Sequence, residues 1–336
     1  MTKPSFPNQL RPDRAVISVN GEGALAFLHN LLTCDVAALG QGQAAYGALL
    51  SPQGKILHDM FVFNAGEQVL IDCAAEQRAA LLQKLMMYKL RAKLTITARD
   101  DLEVAVGEEG YIDPRNAEMG RRFFAARGTF EEVPLSPVAG SPSALRAPPP
   151  AELGGGRNNL DFVQTATSRS PNLLGELSEG LRGPSLPNAI ALPQRGGGIG
   201  SYDTARISLG LADSVQDIGT NALFPHEANL DQFGGVNFTK GCYVGQEVVS
   251  RMQHRGTARS RVLPVTGQGL TKGASITSAD KSIGEILSTS STNALALIRL
   301  DRLGDATAPL MSNAVTLKVQ KPDWIKYDVT IPEAAR

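Results

Sequence analysis

The stretch Lys240-Gly241-Cys242-Tyr243-Val244-Gly245-Gln246-Glu247 packs a thiol, two glycines and a cation into one short span, with Arg251, His254, Arg255, Arg259 and Arg261 close behind. Val248, Val249 and Met252 recur at i, i+1 and i+4, so the spacing predicts a short helix from about Gly245 to Met252 with one buried side. Cys242 then falls just before the helix start. Free backbone N–H groups and the positive end of the helix dipole stabilise an anion there, and a nearby Lys240 lowers a thiol pKa further, which favours a reactive thiolate. The two glycines permit positive φ or the close approach of a flat ligand. Spacing alone leaves one alternative open, a buried cysteine in a tight turn before a core helix.

Upstream, Leu25, Leu28 and Leu32 follow helical spacing after the turn residues Asn20-Gly21. Residues 44–50, 55–63 and 67–73 read as strands separated by Ser51-Pro52-Gln53-Gly54 and Asn64-Ala65-Gly66, which predicts a small antiparallel meander. Residues 75–89 carry Leu81, Leu82, Leu85 and Met86 on one helical side, and Leu94-Thr95-Ile96 and Val104-Ala105-Val106 read as further strands. This order points to an α+β fold and not a repeating βαβ sheet. Asp113-Pro114-Arg115 reads as a turn, with Arg115 in a structural role at a domain interface.

From Pro137 to Gly200 roughly a third of the residues are Gly or Pro, as in chains without regular structure, and a short helix fits only near Asn172 to Leu181. Periodicity returns at Ala205, and residues 260–325 alternate short apolar runs with turns, as a small antiparallel barrel does. The expected organisation is an α+β region over 1–136 and 201–256, formed by two interleaved domains, a Gly/Pro-rich insertion over 137–200 with little order, and a C-terminal β-barrel over 257–336.

The Lys-Gly-Cys-Tyr-x-Gly-Gln-Glu run, with Arg251 and Arg255-Gly256 behind it, resembles the signature of the YgfZ-type proteins. These are folate-binding relatives of the glycine-cleavage aminomethyltransferase that support iron–sulfur cluster assembly. Further segments match in the same order: Phe27-Leu28-His29-Asn30 with Thr33 and Asp35, Gly47 through Ile56, Tyr88 through Leu94, Asp113-Pro114-Arg115 with Gly120 and Arg121, Phe224-Pro225 through Leu230, and Ala294 through Arg299. The resemblance covers roughly residues 14–125 and 200–305. It implies a GcvT/YgfZ-like ring of three domains enclosing a channel for tetrahydrofolate or a one-carbon derivative, with Cys242 at its edge and partners among the iron–sulfur assembly machinery or its client proteins. By the same resemblance Cys242 and Lys240 carry the chemistry. Gly241 and Gly245 shape the loop, Tyr243 packs on the pterin or aminobenzoyl ring, Gln246 and Glu247 supply hydrogen bonds or cap the helix, and Arg251 and Arg255 are placed to grip the glutamate tail, as guanidinium forks grip carboxylates.

The remaining composition narrows the partners. Of 336 residues, 33 are Lys or Arg and 33 are Asp or Glu, so no net field draws the chain to nucleic acid or an anionic membrane. Cys34, Cys73 and Cys242 lie far apart and form no Cys-x-x-Cys pair, which argues against a disulfide framework or a structural zinc site, and the four histidines have no metal-ligand spacing. Met1 to Arg14 lacks a signal core and a presequence pattern, so a bacterial cytoplasm is the expected location. A folate-dependent one-carbon transferase is the competing function, and it leaves enzyme status open. Against it, the Arg-x-Glu pattern that supplies a pterin-binding carboxylate in the transferases reads Arg206-Ile207-Ser208 here.

Overall fold

The structure, a computed structural model, describes residues 8–129, 199–256 and 258–335. In chain order it begins β1 (Gln9–Leu10), β2 (Arg14–Asn20), α1 (Ala24–Leu31), β3 (Ala44–Leu50), β4 (Ile56–Asn64), β5 (Val69–Ala74), α2 (Arg78–Lys89), β6 (Thr95–Ala98), β7 (Leu102–Gly107), β8 (Tyr111–Ile112) and β9 (Arg121–Ala126). Five of these strands form one sheet in the order β3-β4-β5-β2-β6, and four form a second in the order β1-β7-β9-β8. The meander expected over 44–73 is present as β3-β4-β5. Both faces of the first sheet are covered, which is why β2 and β4 are buried along most of their lengths rather than at alternate residues. One face packs on α1 and α2 through Leu28, Met60, Leu81 and Leu85. The other packs on the second sheet through Tyr46, Phe61, Phe63, Tyr111 and Phe124, with the Phe63 ring edge-on to Tyr111 and Phe124 at 4.9 and 5.0 Å.

Ionic groups are buried within this second contact. Asp72 accepts from Arg14 at 2.5 Å and from Arg122 at 2.7 Å. Arg122 also reaches Asp113 at 3.2 Å, and Asp113 receives Arg115 in a two-pronged contact at 3.1 and 2.9 Å. The hydroxyl of Tyr202 accepts from Arg115 at 2.8 Å and from Arg122. The Arg122 guanidinium lies 3.8 Å over the Phe61 ring. Arg115 thus has a structural role, tying the second sheet to the first and to the helix that carries Tyr202.

Burial by itself pushes the Asp113 carboxyl up, but Arg115 and Arg122 outweigh it and hold the group at about 2. A carboxyl depressed in the folded state contributes stability that is present above its ordinary value and is lost as pH falls through the folded value. Between about pH 4 and 2 the protein should therefore lose roughly 2 kcal/mol through this group. Urea unfolding of wild type and Asp113→Asn across that range checks it: the stability difference between the two should shrink on acidification, and a constant difference would refute the assignment.

After residue 198 come α3 (Ile199–Leu209), a single π-helical turn at Ser214–Ile218, an irregular run to Gly245, and α4 (Gln246–Arg255). Helix α3 starts six residues before the Ala205 at which sequence periodicity becomes visible. The Gly/Pro-rich insertion up to residue 198, with the short helix expected near Asn172, lies outside the described residues. The chain then forms β10 (Ser260–Thr266), β11 (Ser275–Ser278), β12 (Lys281–Ser290), β13 (Asn293–Arg299), α5 (Leu300–Gly304), β14 (Leu310–Ser312) and β15 (Val315–Val319). These six strands close into an antiparallel barrel in the order β10-β13-β12-β11-β14-β15, filled by Leu263, Ile276, Ile286, Ile298 and Leu317. Buried Arg261 of β10 pairs with Asp231 at 2.6 Å, so it joins the barrel to the irregular run.

Candidate functional site

The signature loop is anchored from both sides. On its N-terminal side the Thr33 hydroxyl donates to the Gly235 carbonyl at 2.5 Å and accepts from the Ala48 N–H at 2.9 Å, while the Thr33 carbonyl accepts from the Asn237 N–H at 2.9 Å. Asn237 Oδ1 then accepts the N–H groups of Thr239 and Lys240 at 2.8 and 2.9 Å, a turn that an Asn side chain closes by imitating backbone. The Lys240 ammonium donates to the carbonyls of His29, of Leu32 at 2.5 Å and of Cys34 at 3.0 Å. A helix leaves its last carbonyls without partners, and a cation near that end satisfies them and complements the dipole. Lys240 does this for α1.

That geometry corrects the role expected of Lys240. The sequence places it beside the thiol as an acidifier. In the structure its donors are committed to backbone oxygens, and its ammonium lies 5.1 Å from the centre of the Tyr243 ring. Burial lowers the Lys240 pKa, opposed by Cys34 and Asp35. The second anchor is Gly245, the N-cap of α4, at φ +80°. A Cβ there would stand 2.6 Å from the Ser51 carbonyl and 2.9 Å from the Gly54 Cα, and one on Gly54 would stand 2.9 Å from Val248 Cβ. The close approach that Gly245 permits is therefore to the β3–β4 turn rather than to a flat ligand.

Cys242 lies between these anchors and is exposed, whereas Cys34 and Cys73 are buried. Exposure removes the buried-cysteine alternative. Burial pushes the Cys34 and Cys73 thiols up to about 12, which leaves them inert as nucleophiles near neutral pH. Gly241 is exposed, and a Cβ on it would meet nothing within 4 Å. Tyr243 is buried, its pKa pushed up to about 12 by desolvation, and among the described residues its hydroxyl has no hydrogen-bond partner. Glu247 does not cap α4 but pairs with Arg251 one turn on at 2.5 Å, both exposed. Gln246 is half-buried at the first position of the helix, and exposed Arg255 lies in its last turn and makes no ion pair among the described residues.

Beyond the signature, sequence reasoning missed Asp59 and Tyr46. The Tyr46 hydroxyl donates to Asp59 Oδ2 at 2.8 Å, and burial pushes the Asp59 carboxyl up against the opposing pull of Arg14. A signal was available: His58-Asp59 interrupts the apolar run Ile56 to Phe63, and a carboxylate inside a buried strand needs a partner. In the stretch that bears on the transferase alternative, Arg206 is buried and paired with Asp203 at 2.5 Å and Asp217 at 2.6 Å. The Ser208 hydroxyl accepts from Asn293 at 3.0 Å.

Comparison with known proteins bears on the same elements. Residues 14–105 match the GCVT N-terminal domain, and residues 259–327 match the CAF17 C-terminal beta-barrel domain. The iron-sulfur cluster assembly factor IBA57 homolog of Pyricularia oryzae is 30% identical over 325 residues, covering 88% of this chain and 72% of that protein. The chain belongs to the IBA57 family of iron–sulfur cluster assembly factors. The family shown is thus IBA57, where the signature resembles the YgfZ-type proteins. The Chaetomium globosum homolog is likewise 30% identical over 271 residues, but the chain spans only 54% of its length. Among solved structures, aminomethyltransferase T of the Bartonella henselae glycine cleavage system superposes with a TM-score of 0.64 at 15% identity, covering 96% of this chain and 87% of that one. The α+β, GcvT-like fold with its C-terminal barrel stands.

The cytoplasmic location is corrected by the same findings, because both relatives carry mitochondrial in their names. That expectation rested on a pattern missing from the fourteen residues Met1 to Arg14, and a missing pattern is not a positive signal for any compartment. Among the described residues no helix of this IBA57-family chain is long and apolar enough to cross a membrane, and no three metal-ligating side chains converge.

Proposed function

We propose that this protein assists assembly or repair of iron–sulfur clusters in client proteins, with Cys242 as the reactive thiol and tetrahydrofolate or a one-carbon derivative as its ligand. The carrying observation is that the chain's one exposed thiol sits on a loop fixed at both ends, by Lys240 and by Gly245. A thiolate is a soft ligand suited to iron, and clusters are ordinarily held by four such ligands. One exposed thiol per chain fits a cluster in transit, with the other ligands supplied by assembly machinery or client. Lys240 acts by positioning the loop.

What supports a folate is the buried Tyr243 hydroxyl, which has no partner among the described residues, and the exposed Arg255 and Arg251 guanidiniums, which suit the carboxylates of the tail. When bound, the folate supplies a one-carbon carrier. The transferase alternative gains nothing from Ser208, whose hydroxyl cannot replace a pterin-binding carboxylate. Calorimetric titration with tetrahydrofolate tests the ligand: wild type should bind, and Tyr243→Phe and Arg255→Gln should each bind about tenfold more weakly, the loss of one good hydrogen bond. No heat with wild type, or variants equal to wild type, would remove folate from this site.

A further inference from the structure

Five arginines line one cavity of about 240 Å3: Arg11, Arg14, Arg78, Arg99 and Arg127, together with Asp100 and Glu103. They arrive from separate stretches, on either side of the β1–β2 link, at the start of α2, after β6 and after β9, where the two sheets meet. Three are fixed in place. Arg14 is held by Asp72, and Arg99 by Asp101 at 2.8 and 2.6 Å and by Gln68 at 3.0 Å. Arg11, 2% exposed, gives Nε and Nη2 to Asp13 at 2.9 and 2.6 Å and stacks 3.7 Å over the Tyr202 ring. Among the described residues its Nη1 is buried with no partner.

The other two are loosely held among the described residues: Arg78 pairs with Asp100 at 2.7 Å, and Arg127 reaches Glu103 at 3.8 Å and the Asp100 carbonyl at 3.4 Å. A guanidinium has five N–H donors and no acceptor, so Arg78 and Arg127 retain donors for an acceptor in the cavity, and Arg11 behind them keeps an unpartnered buried Nη1. Each of these pairs reaches solvent through one partner, Asp100 or Arg127, and pairs open to water contribute little and exchange readily for a better anion.

We propose that this cavity binds the phosphate group of a small phosphorylated compound or of the free ion. Donors that converge from several elements suit a tetrahedral group with three acceptor oxygens better than a planar carboxylate with two. At about 30 Å3 per water molecule, the space exceeds what one oxyanion fills and leaves room for a short organic body. The site is separate from the signature loop and does not depend on the folate reading.

The test is titration of the full chain, at fixed ionic strength, with inorganic phosphate and with glycerol phosphate, for wild type and the double variant Arg78→Gln/Arg127→Gln. Both positions are solvent-exposed enough for the variant to fold, which its thermal melt verifies. One site per chain is expected, weakened at least tenfold in the double variant, with tetrahydrofolate binding unchanged. Tighter glycerol phosphate identifies an ester as the ligand; equal affinities identify the free ion. Absence of phosphate binding in wild type, or equal binding by the variant, would overturn the proposal. So would loss of tetrahydrofolate binding in the double variant, which would assign the cavity to the carboxylate tail of a folate.

Discussion

Replacing Asp72 by alanine lowers the free energy of unfolding by roughly 3–5 kcal/mol, the cost of stranding buried charge. Asp72 is 0% exposed and accepts from Arg14 at 2.5 Å and Arg122 at 2.7 Å. Without it Arg14 loses its paired carboxylate and keeps the Ser214 hydroxyl at 3.1 Å and a backbone carbonyl at 2.9 Å, while Arg122 is left with Asp113. Arg122 also binds Asp113 and Tyr202, so the defect reaches the second sheet and α3. Asp72→Asn keeps an acceptor oxygen but not the charge and should fall between wild type and alanine. Urea denaturation measures both. A loss under about 1 kcal/mol for Asp72→Ala would place this group with exposed pairs, which contribute little.

Lys240→Met should loosen the signature loop and cost roughly 2–3 kcal/mol, because a charged donor is lost and its acceptors are left short of partners. That ammonium serves the carbonyls of His29 and Leu32 at the end of α1 and of Cys34 just beyond it. Arginine should not restore the wild-type state, since its planar fork cannot direct donors to three oxygens arranged around a point. Hydrogen exchange followed by mass spectrometry reads the effect locally: peptides covering residues 237–245 should lose protection in Lys240→Met and Lys240→Arg alike, while the barrel strands keep theirs. Unchanged exchange in that loop would mean that Asn237 and Thr33 suffice to hold it.

Much of this architecture is legible in the sequence, and the failures have physical causes. The meander β3-β4-β5, α1, α2, α4 and the barrel follow from apolar periodicity and turn residues, because each has one packed face and clear punctuation. Strands β2 and β9 escaped notice: β2 is covered on both faces and lacks alternation, and β9 points Arg122 inward with Phe124, where a charged residue masks the core pattern. The ionic cluster was invisible for the same reason, since its members are scattered from Arg14 to Tyr202 and meet only through the fold. At the site, the spacing located Cys242 before α4, but proximity along the chain misled for Lys240. Its long side chain turns away to the end of α1, more than two hundred residues earlier.

The decisive measurement is the activity of iron–sulfur enzymes in cells that carry Cys242→Ala in place of wild type, alongside tetrahydrofolate titration of the purified variant. Cys242 is exposed, so its removal should leave stability within about 0.5 kcal/mol of wild type. The expected result is enzyme activity as low as in cells without the protein, together with undiminished folate binding. Wild-type enzyme activity in those cells would contradict the assignment of this thiol as the working group.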